Sequence, residues 1–202
     1  MSDVLAIANA KKLIEKYCIK SPRQYSIDQI INAEGMAVDE KPLHGFDGSL
    51  IHNGKFGIIT INSSIKEETQ KRFTAAHELG HYCNEKSKFK FCSFEEIMNL
   101  KNNSQNERNA NSFAAELLMH EPWFKEKVKS RKLNVDLLKE LTEYFNVSLS
   151  AVSIRLAELD LKPCAVIMTT SGIVKWAFIS KSFRYQFIRW GSKVSELSYT
   201  YD

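Results

Sequence analysis

Residues 72–82 read RFTAAHELGHY, and within them His77 and His81 are four positions apart. On an α-helix with 3.6 residues per turn, these two histidines lie on the same face, one turn from each other. Two imidazoles at this spacing can bind one cation, and Glu78 between them can reach a water molecule on that cation. The run therefore predicts a metal-binding helix with a catalytic carboxylate. The alternative is a pair of surface histidines beside a glutamate that only stabilises the helix.

A catalytic zinc site takes three protein ligands and leaves a fourth position for water. No third histidine follows His81 at close spacing, so the third ligand must come from elsewhere in the chain. The best source is the helical pattern of residues 107–119, ERNANSFAAELLM, which begins with Glu107. Glu107 could also be an ordinary acid at a helix N-terminus, where the helix dipole favours a negative charge. Glu116 lies on another face of this helix and could equally be a structural acid.

The two motifs, in this order and at this spacing, resemble the ImmA/IrrE family of bacterial metallopeptidases. The resemblance covers residues 5–160 and includes the GSL and GIITIN segments before the first motif and FNVSLSAVSIRLAEL after the second. It implies a zinc site formed by His77, His81 and Glu107. It also implies that Glu78 is the catalytic base.

One position departs from the family pattern. In the family, the second motif usually continues directly with proline, whereas here His120 and Glu121 precede Pro122. His120 is therefore either a surface residue or a group at the rim of the site.

The implied reaction is hydrolysis of a peptide bond. Zinc lowers the pKa of its bound water toward about 7, and Glu78 takes the water's proton and later delivers it to the leaving amine. The donor that stabilises the oxyanion is left open. His44 and His52 in the strand region are candidates, although each could be only a surface histidine. Thr74 and Asn111 are further candidates for supporting the metal ligands or binding substrate.

The resemblance implies a regulatory substrate, such as a helix-turn-helix repressor of a mobile element or stress response. The first hypothesis is therefore a zinc-dependent endopeptidase with an anti-repressor role. The alternative is a non-proteolytic zincin-like regulator that binds a repressor or DNA, because residues 145–159 have a helix–turn–helix pattern. A DNA-reading helix should be basic, yet this one offers only Arg155. Packing helices are therefore preferred, and direct nucleic-acid binding is not expected.

Periodicity and breakers predict an α+β fold with a small, mostly antiparallel sheet. The resemblance implies that this fold is zincin-like, with the sheet packed on the HExxH helix and further helices. Helical spacing of apolar residues predicts helices at 3–20, from Ser26, at 65–85, at 107–119 and through 123–161. Short apolar pieces predict three strands within 36–62 and two more within 164–180, joined at Ser171-Gly172. A polar loop containing KSKFKF and KNNSQNE is expected between the two motif helices. The FGIITIN strand either offers an exposed edge to an extended substrate or lies inside the sheet.

Three parts are predicted along the chain. Residues 1–125 form the zincin-like core, residues 126–162 a helix-turn-helix-like extension, and residues 163–202 a short C-terminal β-hairpin segment rich in aromatic residues. A shift in composition near Lys162-Pro163 sets the second boundary. The hairpin is expected to pack on the core or on a partner chain.

Composition favours a cytoplasmic protein. The 28 basic and 24 acidic residues give a net charge of only +4, which permits a nucleic-acid partner without arguing for one. The four cysteines form no CxxC pair, which is typical of reduced thiols. The first residues lack the pattern of a signal peptide, and no run approaches the ~18 apolar residues of a membrane span. We expect zinc as cofactor, a protein substrate as partner and no membrane contact.

Overall fold

The structure, a computed structural model, describes residues 2–84, 89–92 and 104–195, with the backbone alone for Ser2 and residues 89–92. The described residues form an α+β fold, as predicted. The helices are α1 (Ser2–Lys16), α2 (Ile27–Ala33), α3 (Glu68–Asn84), α4 (Gln105–Leu118), α5 (Glu121–Val128), α6 (Val135–Phe145) and α7 (Leu149–Glu158). The strands are β1 (Met36–Lys41), β2 (Gly48–His52), β3 (Gly57–Asn62), β4 (Phe89–Cys92), β5 (Ala165–Thr170) and β6 (Ile173–Ile179).

The ends of two predicted helices are wrong by a few residues. α1 ends at Lys16 rather than near residue 20, because Cys18 has a φ of 50°, which a right-handed helix does not contain. α3 begins at Glu68 rather than at Ile65, which is buried in the turn before the helix. α2 begins directly after Ser26, as predicted, and the Ser26 side chain caps it.

The main sheet has the strand order β1-β3-β2-β4. β1 and β3 are parallel, whereas β2 pairs antiparallel with both β3 and β4. Two of the three pairings are therefore antiparallel, in agreement with the predicted sheet. β3, which contains GIITIN, lies inside the sheet, so the prediction of an exposed edge there is wrong and the interior alternative is confirmed.

β4 is a strand where the sequence was expected to form a loop. KSKFKF spans residues 86–91, and its last three residues belong to β4, which pairs with β2. The missed signal is the alternation of Lys and Phe, because a period of two is typical of a strand. Of the other predicted loop segment, KNNSQNE, residues 101–103 lie outside the described residues, and α4 begins within the remainder at Gln105.

Helix α3 lies in the core, where every residue from Thr74 to His81 is buried. It packs against α1 and α4 on the helical side and against β2 and β3 on the sheet side. The backbones of α3 and α4 approach closely at Gly80, where a Cβ atom would lie 3.0 Å from Cα of Ala110 and 3.2 Å from the ring of Phe113. Glycine costs about 1 kcal/mol relative to Ala inside a helix. Here it permits the close approach of the two helices.

The later helices extend the same core. Apolar side chains from α5, α6 and α7, including Phe124, Leu141 and Val152, belong to one cluster of buried residues with those of α1 to α4. Residues 123–161 are largely helical, as predicted, with turns at Ser130 and Asn146, which have φ values of 59° and 51°. The predicted Asn-Val-Ser turn is confirmed, since α6 ends at Phe145 and Ser148 caps α7. The predicted boundaries at 125/126 and 162/163 remain predictions.

The C-terminal strands β5 and β6 pair antiparallel as a hairpin. Its turn lies at Ser171-Gly172, as predicted, with φ values of 50° and 68° that suit a type I′ turn. Among the described residues, no helix is both long enough and apolar enough to cross a membrane.

Replacing Gly80 with Val should force α3 and α4 apart, because the added side chain meets the Ala110 backbone. We expect the free energy of unfolding in urea to fall by about 1–3 kcal/mol. Glu68→Val, on the exposed first turn of the same helix, is the matched control and should cost less than about 1 kcal/mol. Equal stability of the two variants would contradict the role given to Gly80.

Candidate metal centre

Three side chains from two helices converge in the core. The Nε2 atoms of His77 and His81 are 3.0 Å apart, and Oε2 of Glu107 lies 3.1 Å from the first and 3.3 Å from the second. His77 and His81 are fully buried, and Glu107 is 8% exposed. Within the described residues, these three form a group that could hold a metal ion.

The separations and the donor types fit zinc. Two ligand atoms of a tetrahedral site with bonds of about 2.0–2.1 Å are about 3.3–3.4 Å apart, and the three observed separations are close to this value. Two imidazole nitrogens and one carboxylate oxygen also form the ligand set of catalytic zinc sites that keep a fourth position open. The residues that the sequence predicts as ligands are therefore brought together in a suitable arrangement.

Local features of α4 place Glu107 opposite the histidines. The side chain of Ser104 caps the helix by accepting a hydrogen bond from the amide of Glu107 at 3.4 Å. Ala110 follows three residues later and contacts Gly80 on α3. Because three residues are about one helical turn, Glu107 lies one turn before the contact, as does His77 on the other helix.

Asn111 orients the first histidine. Its Oδ1 accepts a hydrogen bond from Nδ1 of His77 at 2.9 Å, which leaves the Nε2 lone pair directed at the centre of the group. Burial lowers the pKa of His77 below its ordinary value, so the neutral, ligating form is favoured. Burial raises the pKa of Glu107, but hydrogen bonds to His77 and His81 outweigh it, so the pKa is strongly lowered and the carboxylate is ionised.

Glu78 is fully buried and lies against the start of β2. A Cβ atom at Gly48 would lie 2.7 Å from Oε1 of Glu78 and 2.6 Å from Cγ2 of Thr74. Gly48 therefore leaves the space that the Glu78 carboxylate occupies, with Thr74 on the same side. Gly48 was not predicted as a site residue, and its one visible signal in the sequence is a glycine at the first position of a strand.

The two other predicted histidines have different surroundings. His44 is exposed in the connection between β1 and β2. His52 ends β2 and packs edge-on against Tyr82, with ring centroids 5.1 Å apart. Tyr82 directly follows His81, so His52 lies near the C-terminal part of α3. Their roles in stabilising an oxyanion remain predictions.

Glu116 belongs to a separate buried cluster rather than to the metal group. Its carboxylate forms an ion pair with Arg155 of α7 and accepts a hydrogen bond from Nδ1 of His120 at 2.6 Å. The side chain of His120 is 15% exposed and contacts Glu116, and its place at the rim of the site stays a prediction. Glu116 therefore joins α4 to α7, as the structural-acid alternative predicts.

A cavity of about 380 Å³ adjoins the candidate site between α3, α4 and α7. Thr74 and Asn111 both line it. Thr74 lies beside Glu78 at Gly48, and Asn111 contacts His77, so the cavity begins next to the metal group. The rest of its wall is largely apolar and includes Phe73, Ala115, Met119, Ala151 and Ile154. A substrate side chain of an apolar type can enter such a space.

A family model described as the IrrE N-terminal-like domain, which defines a peptidase family, matches residues 31–157. The chain belongs to this family. The match confirms the resemblance, and it extends from α2 into α7, so it contains both motifs and residues 145–157 of the stretch with helix–turn–helix pattern. No curated protein shows a significant match to the chain. The matched range includes His77, His81 and Glu107, the group that could hold a metal ion.

Removing the charge of Glu107 should affect metal binding, whereas removing the charge of Glu116, on the same helix, should affect stability. Glu107→Gln should weaken zinc binding, measured by competition with a chromogenic chelator, by more than the about 10- to 100-fold expected for Asn111→Ala. The fold should persist. An unchanged zinc affinity in Glu107→Gln would contradict its assignment to the site.

Glu116→Gln should instead leave zinc affinity unchanged and destabilise the protein by about 3 kcal/mol. The loss stays at the lower end for a broken buried ion pair, because Arg155 keeps its longer ion pair with Glu158 at 3.7 Å. Burial raises the Glu116 pKa, but His120 and Arg155 outweigh this and lower it. Its stabilising contribution is therefore present above the ordinary Glu pKa of about 4.3 and is lost as pH falls through the lowered value. The free energy of unfolding of wild type and variant, measured as a function of pH, tests this loss. The two values should converge at low pH, where Glu116 is protonated.

Proposed function

We propose that the protein is a zinc-dependent endopeptidase with a zincin-like core. The observation that carries the proposal is the convergence of three ligand-type atoms, from His77, His81 and Glu107, within 3.3 Å of one another. Membership of a peptidase family supports the same reaction. By zincin-like we mean a sheet beside the HExxH helix and a second helix that supplies the glutamate ligand.

In this proposal, His77, His81 and Glu107 hold the zinc ion. When bound, zinc supplies a Lewis acid that polarises the scissile carbonyl group and lowers the pKa of water. Glu78 accepts a proton from the attacking water at its carboxylate and delivers it to the nitrogen of the leaving amine. The contact with Gly48 supports this role, because it confines the carboxylate between α3 and β2.

The sheet and the cavity suggest how a peptide is bound. Among the described strands, β4 lies at the edge of the sheet beside β2, and its Cys92 pairs with Gly48, next to Glu78. An extended substrate adds to this edge through main-chain hydrogen bonds. One of its side chains then enters the cavity between α3, α4 and α7, whose apolar wall favours a large aliphatic or aromatic residue.

For the substrate itself, we infer a regulatory protein of the cytoplasm, such as a helix-turn-helix repressor, from the ImmA/IrrE resemblance. The non-proteolytic alternative, in which the helix–turn–helix-like stretch reads DNA, is weakened by Arg155. This residue is the one basic side chain of α7, and it is buried in its ion pair with Glu116. An intact Glu78 also favours hydrolysis, because a purely structural metal site needs no base.

Glu78→Gln should retain zinc and lose cleavage, because the amide cannot accept the proton of water. We suggest co-expressing wild type and variant with candidate repressors, beginning with the product of the neighbouring gene, and identifying fragments by mass spectrometry. A loss of at least about 100-fold is expected. Glu68→Gln, an exposed glutamate on the same helix, is the control and should cleave normally. Unimpaired cleavage by Glu78→Gln would sink this mechanism.

Ala151→Phe should fill the cavity from the α7 side without touching the metal group. We expect kcat/KM for a peptide with a large apolar side chain beside the scissile bond to fall by about 10- to 200-fold, whereas a peptide with Ala there should lose less. Leu149→Phe, on the exposed face of the same helix, is the matched control. Equal losses for both peptides would show that the cavity does not select the substrate.

A further inference from the structure

The net positive charge of the chain comes from one segment, which has basic residues and no acidic ones. Residues 162–193, here called the basic segment, contain six of the 28 basic residues and none of the 24 acidic ones. The remainder of the chain therefore carries a small net negative charge, and the overall value of +4 conceals the separation. Among the described residues, none of the six forms an ion pair within 4 Å: Lys162, Lys175, Lys181, Arg184, Arg189 and Lys193.

The same segment exposes three large aromatic side chains. Tyr185, Phe187 and Trp190 are 63%, 81% and 74% exposed. They alternate with the two arginines in the run RYQFIRW, residues 184–190, and the guanidinium of Arg184 lies 5.6 Å from the Tyr185 ring centroid. Exposure of this much aromatic surface beside unpaired positive charge is unusual for a region that faces only water.

The alternation of basic and aromatic side chains matches the chemistry of a single-stranded nucleic acid. Its phosphates are neutralised by Lys and Arg, and its exposed bases stack on aromatic rings. A duplex offers the phosphates but keeps its bases stacked inside. A membrane surface is the less suitable partner, because interfacial binding typically uses an amphipathic helix, and residues 185–189 have no helical or strand structure.

We propose that the basic segment binds single-stranded nucleic acid. The six basic residues contact phosphates, and Tyr185, Phe187 and Trp190 provide stacking surfaces for successive bases. The site requires neither the metal group nor Glu78, so it is an activity separate from peptide hydrolysis. It also departs from the expectation drawn from net charge, which averages over the whole chain.

The test is fluorescence anisotropy of the full chain with labelled 20-nucleotide oligothymidylate and oligouridylate, a 20-base-pair duplex, and vesicles of phosphatidylserine and phosphatidylcholine. We expect binding to either single strand to be tighter than to the duplex or the vesicles, and Glu78→Gln to bind equally well. Phe187→Ala and Trp190→Ala should each weaken single-strand binding about five-fold or more. Arg184→Gln combined with Arg189→Gln should reduce the slope of log affinity against log salt by about 1.4.

Matched controls lie outside the basic segment. Phe56→Ala removes an aromatic side chain that is 70% exposed, and Lys12→Gln removes an exposed charge on α1; both should bind like wild type. Circular dichroism and thermal unfolding check the fold, and Trp190→Phe, which keeps a stacking surface, should retain binding. The proposal is overturned if neither single strand binds at low salt, if the segment variants behave like the controls, or if duplex or vesicles bind more tightly.

Discussion

The contact between Gly80 on α3 and Ala110 on α4 is the constraint on which the rest of the site depends. His77 precedes Gly80 by three residues, and Glu107 precedes Ala110 by the same number, so the two ligand-type side chains lie one turn from the contact on facing helices. Asn111, directly after Ala110, reaches the other nitrogen of His77. The 3.1 Å separation of Nε2 and Oε2 follows from how closely the two backbones approach. A larger residue at 80 changes that separation first.

Short-range features of this protein could be predicted from the sequence. The histidine spacing, the Ser26 cap and the Ser171-Gly172 turn depend on neighbours within a few residues, and all lie where the patterns indicate. The strand order could not be predicted in this way, because it depends on distant residues: the pairing between β2 and β4 joins segments about forty residues apart. Gly48 was missed for the same reason: its importance depends on Glu78, thirty residues later. Glu107 could be predicted as a ligand from the order of the two motifs. Its distance from the histidines could not, because that distance depends on how α3 packs against α4.

Arg155 illustrates how a residue's role depends on burial. In the sequence it is the one basic residue of a helix with helix–turn–helix pattern, and so the natural candidate for contact with a phosphate. In the structure it is 4% exposed and contacts Glu116, the carbonyl group of Met119 and the carboxylate of Glu158. An ion pair removed from water is costly to break from one side. Since Glu116 lies on the same helix as Glu107, this pair also fixes α7 against the helix that completes the metal group, and α7 forms one wall of the adjoining cavity.

The uneven charge distribution also affects how copies of the protein behave toward each other. Residues 1–161 contain 22 basic and 22 acidic residues, so with neutral histidines this part has no net formal charge. Proteins without net charge repel one another weakly and tend to associate. Colloidal stability of the whole chain at neutral pH therefore depends on the residues after 161. A polyanion that neutralises these residues leaves the bound copies of the protein with little mutual repulsion. Bound copies should then cluster on the polyanion instead of spacing out along it.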